Sequence, residues 1–418
     1  MITLAAVVTV SLAVMFILIE RQPVIDADYI SKYLPDVSAP VLAEARRSVG
    51  DEWVHKAVID RFKEGNWTVD PKLGLTTLPA YHAAMAVLTM PAGPDSLLGL
   101  RIVSTVFSLL ALIVVFLLLQ HLPPPQRLVR SLQWFFLPVM LPYFILVYTD
   151  MLSLLLVLTM FLAADRRRFA LAGLLGLTSL LVRQNNIIWL ALLQGMIYVQ
   201  HHGFVLSTRA VIHNLKTCWS FVVGAVLFVA YVLLNRGVSL DDPVNHPSFR
   251  LYSGNVLMCV FVAGILFAPL LLRRIPQGLA IARKQIWVWP LLAAGAMLFL
   301  FAFDLTNPYH RAMEALLTNK VATYAQLFMH YRIAFLIVLL GTLLLLCAVP
   351  LREKWHYLIY PATVLFLAPS WLIHARYFII PFTLFTLYRR PAEPKWEWAT
   401  LILLMAVSVF AMLTTWGI

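Results

Sequence analysis

Charged residues are few in this sequence: Asp, Glu, Lys and Arg together make up 12% of its 418 residues. A soluble globular protein carries about 25% of such residues. Hydrophobic residues account for 61% of the chain, and the mean hydropathy is +0.83. The chain therefore has too few polar side chains to cover a surface exposed to water. This composition excludes a soluble protein and predicts an integral membrane protein.

Common motifs of soluble enzymes are absent as well. The sequence has no HExxH, P-loop, GxSxG or GxGxxG motif in a suitable context. Its three cysteines, Cys218, Cys259 and Cys347, lie in apolar runs without metal-ligand spacing, so we interpret them as buried, inert thiols. The net charge of +12 is dispersed between apolar runs. It therefore indicates contact with membrane lipid and excludes a nucleic-acid partner.

Long hydrophobic runs dominate the chain. A spanning helix needs roughly 20 mostly apolar residues, so the sequence predicts one all-α membrane domain over residues 1–418 with about 13 spans. The predicted spans are 2–19, 97–120, 131–149, 151–165, 169–184, 186–200, 217–235, 254–272, 286–304, 333–350, 356–373, 377–388 and 398–417. Segment 2–19 lacks the basic start and the cleavage site of a signal peptide, so we interpret it as the first span.

The distribution of Lys and Arg predicts the orientation. With a cytoplasmic N-terminus, arginine-rich short loops such as 166–168 and 389–390 face the cytoplasm, as the positive-inside rule requires. The opposite, lumenal or periplasmic face receives the longer loops 20–96, 236–253 and 305–332 and most of the polar residues. A transporter or lipid flippase would instead place polar residues at mid-bilayer depth. The pattern favours an enzyme with its site on the outer face.

The long loop 20–96 predicts two helices along the membrane surface. Val54, Val58 and Phe62 recur at a helical interval, which predicts an amphipathic helix over about 51–65. Residues 78–90 are apolar but too short to span, so they predict a second interfacial or re-entrant helix.

Asp51 and Glu52 lie at the start of the first of these helices. They precede His55 by four and three residues, so the three side chains share one face. Asp51 is interpreted either as an N-cap, with Glu52 complementing the helix dipole, or as a general base that acts on an acceptor hydroxyl.

Further polar groups lie at the outer ends of later spans. They form the segments Tyr148-Thr149-Asp150, Arg183-Gln184-Asn185-Asn186 and Arg376-Tyr377. A charged group at the membrane edge is costly and is a functional candidate. The alternative is a snorkelling arginine or an ion pair of Asp150 with Arg183 or Arg376.

Together these groups fit sugar transfer from a lipid phosphate. Such a reaction needs a carboxylate for the acceptor hydroxyl, cations for the departing phosphate and an apolar groove for the polyprenyl tail. Arginine suits phosphate because its planar fork donates two hydrogen bonds at once. The carboxylates are Asp51, Glu52 and Asp150, and the cations are Arg101, Arg183, Arg332 and Arg376.

These motifs resemble the dolichyl-phosphate-glucose alpha-1,2-glucosyltransferase family. The resemblance rests on Asp51-Glu52 with His55, Trp67 with Asp70-Pro71-Lys72, Thr76-Thr77-Leu78-Pro79 with Tyr81, Tyr148-Thr149-Asp150 with Ser153, Arg183-Gln184 with Asn186 and Trp189, and Arg376-Tyr377 with Pro381. The motifs follow the family's order. Loops 236–253 and 305–332, which would shape the acceptor site, match the family poorly.

The resemblance implies an inverting membrane glycosyltransferase of the GT-C type in the endoplasmic reticulum. It implies a dolichyl or other polyprenyl phosphate glucose as donor, a lipid-linked oligosaccharide as acceptor, an alpha-1,2 product linkage, and no metal or cofactor. Asp51 would be the general base with Glu52 as its substitute, and Arg376, Arg183 and Tyr377 would bind the donor phosphate. The expected substrate-binding residues are His55, Asp70, Thr76, Thr77, Tyr81, Asp150, Gln184 and Asn186.

Two alternatives stay open from the sequence. One is a GT-C enzyme of a bacterial inner membrane that uses another polyprenyl-phosphate sugar on a glycolipid. The other is a polytopic transporter or flippase, which would not depend on Asp51 for glycosyl transfer.

Overall fold

A computed structural model of the chain describes residues 2–20, 51–69, 75–92, 96–240, 250–307, 310 and 317–415. Within these residues the secondary structure is helical, apart from one isolated antiparallel bridge between Leu351 and Arg389. The predicted all-α membrane fold is confirmed to this extent.

The helices follow one another along the whole described chain. They are α1 (Ile2–Glu20), α2 (Glu52–Lys63), α3 (Ala80–Thr89), α4 (Leu97–Leu118), α5 (Pro124–Phe135), α6 (Thr149–Asp165), α7 (Phe169–Val182), α8 (Ile187–His202), α9 (Thr208–Thr217), α10 (Trp219–Asn235), α11 (Gly254–Leu266), α12 (Ala268–Leu272), α13 (Ile275–Lys284), α14 (Val288–Ala302), α15 (Leu317–Leu327), α16 (Met329–Cys347), α17 (Ile359–Leu367), α18 (Ile379–Tyr388) and α19 (Pro394–Thr415). Short 3-10 turns lie at Met90–Ala92, Leu141–Phe144, Gln184–Asn186, Lys354–Leu358 and Ala375–Phe378.

Few of these helices are long enough to cross a bilayer alone. Within the described residues, Leu97–Leu118, Met329–Cys347 and Pro394–Leu413 have the required length and hydropathy. Two further pairs pass only together: α9 with α10, bent by 88°, and α13 with α14, bent by 107°. The predicted number of about 13 spans is therefore not confirmed.

One predicted span is wrong in its secondary structure. Segment 131–149 is not one helix: α5 ends at Phe135, a 3-10 turn occupies Leu141–Phe144, and α6 begins at Thr149. The interruption contains Pro138 and Pro142. Proline lacks the backbone N–H of a helix and clashes with the preceding turn, so an apolar run of sufficient length does not become a helix here.

Helices are present at both positions predicted for surface helices, as α2 and α3, while their location at the membrane surface stays a prediction. They pack together in the first of two compact units, which comprises α1–α4 and α6–α10. Their shared core is apolar and includes Val58, Ile59, Phe62 and Met85. This packing gives the residues at the start of α2 a rigid support.

Elsewhere in the first unit, α7 and α10 approach closely at a glycine. A Cβ atom on Gly173 would lie 2.1 Å from Oγ of Ser220, so only glycine fits this contact. Gly173 therefore lets the two apolar helices pack backbone against backbone.

The second unit comprises α5 and α11–α19, and it buries a charged cluster. Glu397 accepts hydrogen bonds from Arg130 at 3.1 Å and from Arg389 at 2.6 and 2.7 Å. Gln133 completes the cluster by accepting from Arg389 and donating to Glu397. Burial, followed by the charge of Arg389, lowers the pKa of Arg130 to about 9. The cluster joins α5, the end of α18 and the start of α19.

Candidate active site

Asp51 lies directly before α2. Its backbone N–H donates a hydrogen bond of 2.7 Å to the hydroxyl of Tyr148. Within the described residues its half-buried carboxylate makes no capping hydrogen bond to α2. The structure thus fixes the backbone of Asp51 through Tyr148, and it does not support the interpretation of the side chain as an N-cap.

Glu52, in contrast, is part of the interior of the first unit. Its carboxylate accepts hydrogen bonds from Arg101 at 2.7 and 3.2 Å and from the backbone N–H of Val147 at 2.9 Å. The exposed fractions of Glu52 and Arg101 are 0% and 1%. Two charges buried this deeply are stable only as a pair, because a single buried charge would lose its hydration without a compensating interaction. The pair locks α2 against α4 and argues against Arg101 as a phosphate ligand.

A buried pair of imidazoles lies beside the start of α2. Nδ1 of His55 is 2.9 Å from Nε2 of His82, and the ring of Tyr148 lies edge-on to His55 at 5.3 Å between centroids. Burial, followed by the neighbouring His55, lowers the pKa of His82 well below 6.5. His82 is therefore neutral at physiological pH, and one ring of the pair donates an N–H hydrogen bond to the other.

Asp150 and Arg183 form an ion pair, one of the two pairings that the sequence predicted for Asp150. Asp150 lies in the first turn of α6, and Arg183 follows the last residue of α7. Both side chains are largely buried, with exposed fractions of 2% and 12%. The carboxylate of Asp150 thus neutralises part of the charge of Arg183.

Gln184 and Asn186 organise the backbone around this pair. Nε2 of Gln184 donates to the carbonyl of Thr76 at 3.1 Å and to the hydroxyl of Tyr231 at 3.4 Å. Nδ2 of Asn186 donates to Oγ of Ser153 at 2.8 Å. These contacts connect the segment after α7 to α6, to α10 and to the segment before α3.

Thr76 and Thr77 lie in that last segment, just before α3. Both are half-buried, and the Thr77 hydroxyl has no hydrogen-bond partner among the described residues. Tyr81 is fully buried in the core between α2 and α3, and this burial raises the pKa of its hydroxyl. Asp70, also expected to bind substrate, lies outside the described residues.

Arg376 and Tyr377 belong to the second unit. They form part of the 3-10 turn Ala375–Phe378 that leads into α18. The guanidinium carbon of Arg376 lies 5.5 Å from the centroid of the Tyr377 ring, and its backbone N–H donates to Nδ1 of His374 at 3.2 Å. Arg376 is half-buried, and Tyr377 and His374 contact it.

Two contributions were not visible in the motifs. His82 is one residue after the motif residue Tyr81, and only the folded packing of α3 on α2 brings it to His55. Asn255 is a polar residue in an apolar stretch of sequence, and this is the one signal that could have identified it. The structure buries its amide against the segment before Arg376.

The comparisons with known proteins agree with these motifs. Residues 45–207 match the model of the DIE2/ALG10 family. The chain is 22% identical over 398 aligned positions to the Dol-P-Glc:Glc(2)Man(9)GlcNAc(2)-PP-Dol alpha-1,2-glucosyltransferase of Mus musculus, and the alignment covers 81% of this chain and 83% of that protein. The resemblance predicted from the sequence is confirmed.

Fungal relatives with the same name align over shorter segments. The Candida albicans protein is 30% identical over 134 positions, which cover 29% of each chain. The Kluyveromyces lactis protein is 25% identical over 309 positions, which cover 62% of this chain and 57% of that protein. No solved structure matches the chain.

Proposed function

We propose that this chain is an inverting glucosyltransferase. It moves glucose from dolichyl phosphate glucose to a lipid-linked oligosaccharide and forms an alpha-1,2 linkage in assembly of the N-glycan precursor. The names of the relatives carry the donor and the acceptor class. The structural observation that carries the chemistry is the position of Asp51, half-buried directly before α2 with its backbone N–H bonded to the hydroxyl of Tyr148.

The carboxylates of Asp51 and Glu52 have different proposed roles. Glu52 is buried and accepts three hydrogen bonds, so it is unsuited to reach an acceptor sugar. Asp51 is half-buried, and its backbone is fixed by Tyr148. Asp51 is therefore the general base, and Glu52 with Arg101 is the support that fixes the start of α2.

In the proposed reaction Asp51 removes the proton from the acceptor hydroxyl as its oxygen attacks the anomeric carbon. The bond from that carbon to the phosphate oxygen breaks, and its electron pair leaves with dolichyl phosphate. One displacement inverts the anomeric configuration, so a beta-linked donor yields an alpha linkage. The proton ends on Asp51, and the negative charge ends on the phosphate.

The departing phosphate needs cations. Arg376, Arg183 and Tyr377 are the proposed phosphate ligands, and an arginine can donate two parallel hydrogen bonds to a phosphate. Asp150 partly neutralises Arg183, so Arg376 is expected to contribute more of the binding. His55, Thr76, Thr77 and Asp70 are the proposed substrate contacts, whereas Tyr81 is as deeply buried as Glu52 and supports α3. Asp150, Gln184 and Asn186 fix the surrounding backbone.

Both substrates carry polyprenyl chains, so the enzyme must meet them in the bilayer. The apolar helices provide that environment, and we propose that the bilayer is that of the endoplasmic reticulum. We propose that the active site opens to the lumen, because the charge distribution predicts the long polar loops on the face opposite the arginine-rich loops.

The decisive experiment is glucosyl transfer by the purified protein in vitro. Wild type receives dolichyl phosphate glucose and a diglucosylated lipid-linked oligosaccharide, and Asp51→Asn is assayed beside it. The expected result is alpha-1,2 transfer by wild type and a loss of at least about a hundredfold in kcat for Asp51→Asn.

Asp165→Asn is the matched control. Asp165 is an exposed aspartate at the end of α6 that lies away from Asp150, so its substitution should leave transfer unchanged. No transfer by wild type would overturn the proposed function. Transfer from dolichyl phosphate mannose alone would indicate a different donor sugar, and an active Asp51→Asn would overturn only the base assignment.

A further inference from the structure

The segment between α17 and α18 carries Arg376 but is itself irregular. Residues 370–374 are not helical, yet Leu372, Ile373 and His374 are buried. Buried backbone N–H and C=O groups need hydrogen-bond partners, and this segment cannot supply them within a helix. Its partners come from side chains of other elements in the second unit.

Asn255, in the first turn of α11, provides most of them. Its Nδ2 donates to the carbonyls of Ser370 at 2.9 Å and Leu372 at 2.8 Å, and its Oδ1 accepts the backbone N–H of His374 at 3.1 Å. Asn255 is 0% exposed. A primary amide has two donor hydrogens and one acceptor oxygen, and here all three functions go to one segment of chain.

His310 provides another contact. Its Nε2 accepts the backbone N–H of Ile373 at 2.9 Å, so Nε2 carries no proton and the ring is neutral. Burial lowers the pKa of His310, while the carbonyl of Leu305 and the charge of Asp304 oppose this shift. The pKa of His310 therefore favours the protonation state that the hydrogen bond requires.

Tyr252 and Gly254 also contact this segment. The backbone N–H of Tyr252 donates to the carbonyl of Ala368 at 2.6 Å, and the Tyr252 ring stacks on Trp371. A Cβ atom on Gly254 would lie 2.7 Å from Cδ1 of Ile373, so the start of α11 lies directly against the segment.

The chain of contacts ends at Arg376. His374, whose backbone is fixed by Asn255, accepts the N–H of Arg376 on its Nδ1 at 3.2 Å and thereby starts the 3-10 turn. We propose that Asn255 and His310 are positioning residues that hold segment 370–377 in the conformation that presents Arg376 to the donor phosphate. This inference rests on the proposed function, in which Arg376 binds that phosphate.

The test compares donor kinetics of Asn255→Ala, His310→Ala and His310→Gln at saturating acceptor. A displaced Arg376 weakens binding of the donor phosphate, so the donor KM should rise by roughly tenfold. The phosphate gains negative charge in the transition state, so kcat should fall as well. Glutamine retains an acceptor near the position of Nε2, so His310→Gln should keep a donor KM within about twofold of wild type. An unchanged donor KM in both alanine variants, or a glutamine variant no better than His310→Ala, overturns the proposal.

Asn214→Ala is the matched control for the loss of a buried amide. Asn214 is buried in α9, in the other unit, where it accepts from Gln194 at 3.5 Å. Its loss should lower thermal stability and leave the donor KM unchanged; an equal rise in KM would overturn the proposal. If Asn255→Ala does not fold, Asn255→Asp retains the acceptor for His374 and loses both donors. Its donor KM should then exceed that of wild type, and an unchanged value counts against the proposal.

Binding of dolichyl phosphate, measured as a thermal shift of the purified protein, separates this inference from the proposed reaction. The probe carries no glucose, so it reports on phosphate binding even if wild type transfers no glucose. A weaker shift in Asn255→Ala and His310→Ala than in wild type and His310→Gln supports the positioning role. Equal shifts in all four proteins overturn it.

Discussion

Nδ1 of His55 and Nε2 of His82 lie 2.9 Å apart in the interior of the first unit, between the helices that support Asp51. At this distance one nitrogen donates and the other accepts, so at least one of the two rings is neutral at its contacting nitrogen. His82 is the one that burial keeps neutral, since its pKa is well below 6.5. His82 therefore fixes the orientation of His55, which shares a helix face with Asp51.

Replacing His82 by leucine removes this partner without adding charge. We expect kcat for glucosyl transfer to fall by roughly tenfold, which corresponds to about 1.4 kcal/mol, because the imidazole of His55 loses its fixed orientation. Steady-state kinetics would measure this, with His213→Leu as the control, since His213 is exposed on α9. Unchanged kcat in His82→Leu would show that the pair does not serve the reaction.

The same pair predicts an acid-sensitive stability. Because the folded state lowers the pKa of His82, the contribution of the neutral ring is complete above pH 6.5 and is lost as the pH falls below it. We expect the melting temperature of wild type to fall between pH 6.5 and about pH 5 more steeply than that of His82→Leu. Parallel pH curves for the two proteins would contradict this expectation.

Glu52 and Arg101 predict a stability effect that depends on which partner is removed. Glu52→Gln or Arg101→Met alone leaves one buried charge without its counterion, which typically costs about 3–5 kcal/mol. The double variant Glu52→Gln/Arg101→Met leaves neither charge and should recover much of that loss. Thermal unfolding in detergent over this double-mutant cycle would measure the coupling, and additive losses would indicate that the two charges act independently.

The sequence predicted the parts of this arrangement that follow from local patterns. The helical interval of Val54, Val58 and Phe62 predicted α2, and the short apolar run 78–90 predicted α3. Apolar runs alone could not predict the break between α5 and α6, because hydropathy does not register the missing N–H of Pro138 and Pro142.

The sequence predicts a list of candidate site residues, but it does not distinguish their structural surroundings. Asp51 and Glu52 are adjacent and chemically similar in the sequence, and only the fold buries Glu52 against Arg101 from another helix. The contact of Asn255 with Leu372 is likewise invisible locally, since it joins residues 117 positions apart. Long-range pairings of this kind decide which polar residues support the site and which can meet a substrate.

Arg183 and Asp150 predict a change of donor affinity in the favourable direction. If Arg183 contacts the donor phosphate, Asp150→Asn removes the carboxylate that competes for its guanidinium and should lower the donor KM. Arg183→Met should raise the donor KM, but by less than Arg376→Met does, because Arg376 is the principal phosphate ligand in the proposed site. Donor titrations of the three variants would decide this, and a donor KM in Arg183→Met equal to that of wild type would remove Arg183 from the phosphate site.

Glu397 predicts the largest stability loss in the second unit. Its carboxylate is the anion shared by Arg130 and Arg389, and all three residues are buried. Glu397→Gln would leave two buried guanidinium groups without a counterion, so we expect a loss of about 3–5 kcal/mol in the free energy of unfolding. Glu393→Gln is the matched control, because the Glu393 carboxylate is exposed and pairs only with the exposed Lys395 among the described residues, and such surface pairs contribute little. Thermal unfolding of both variants would measure the difference, and equal melting temperatures would show that Gln133 and the backbone satisfy the two arginines without Glu397.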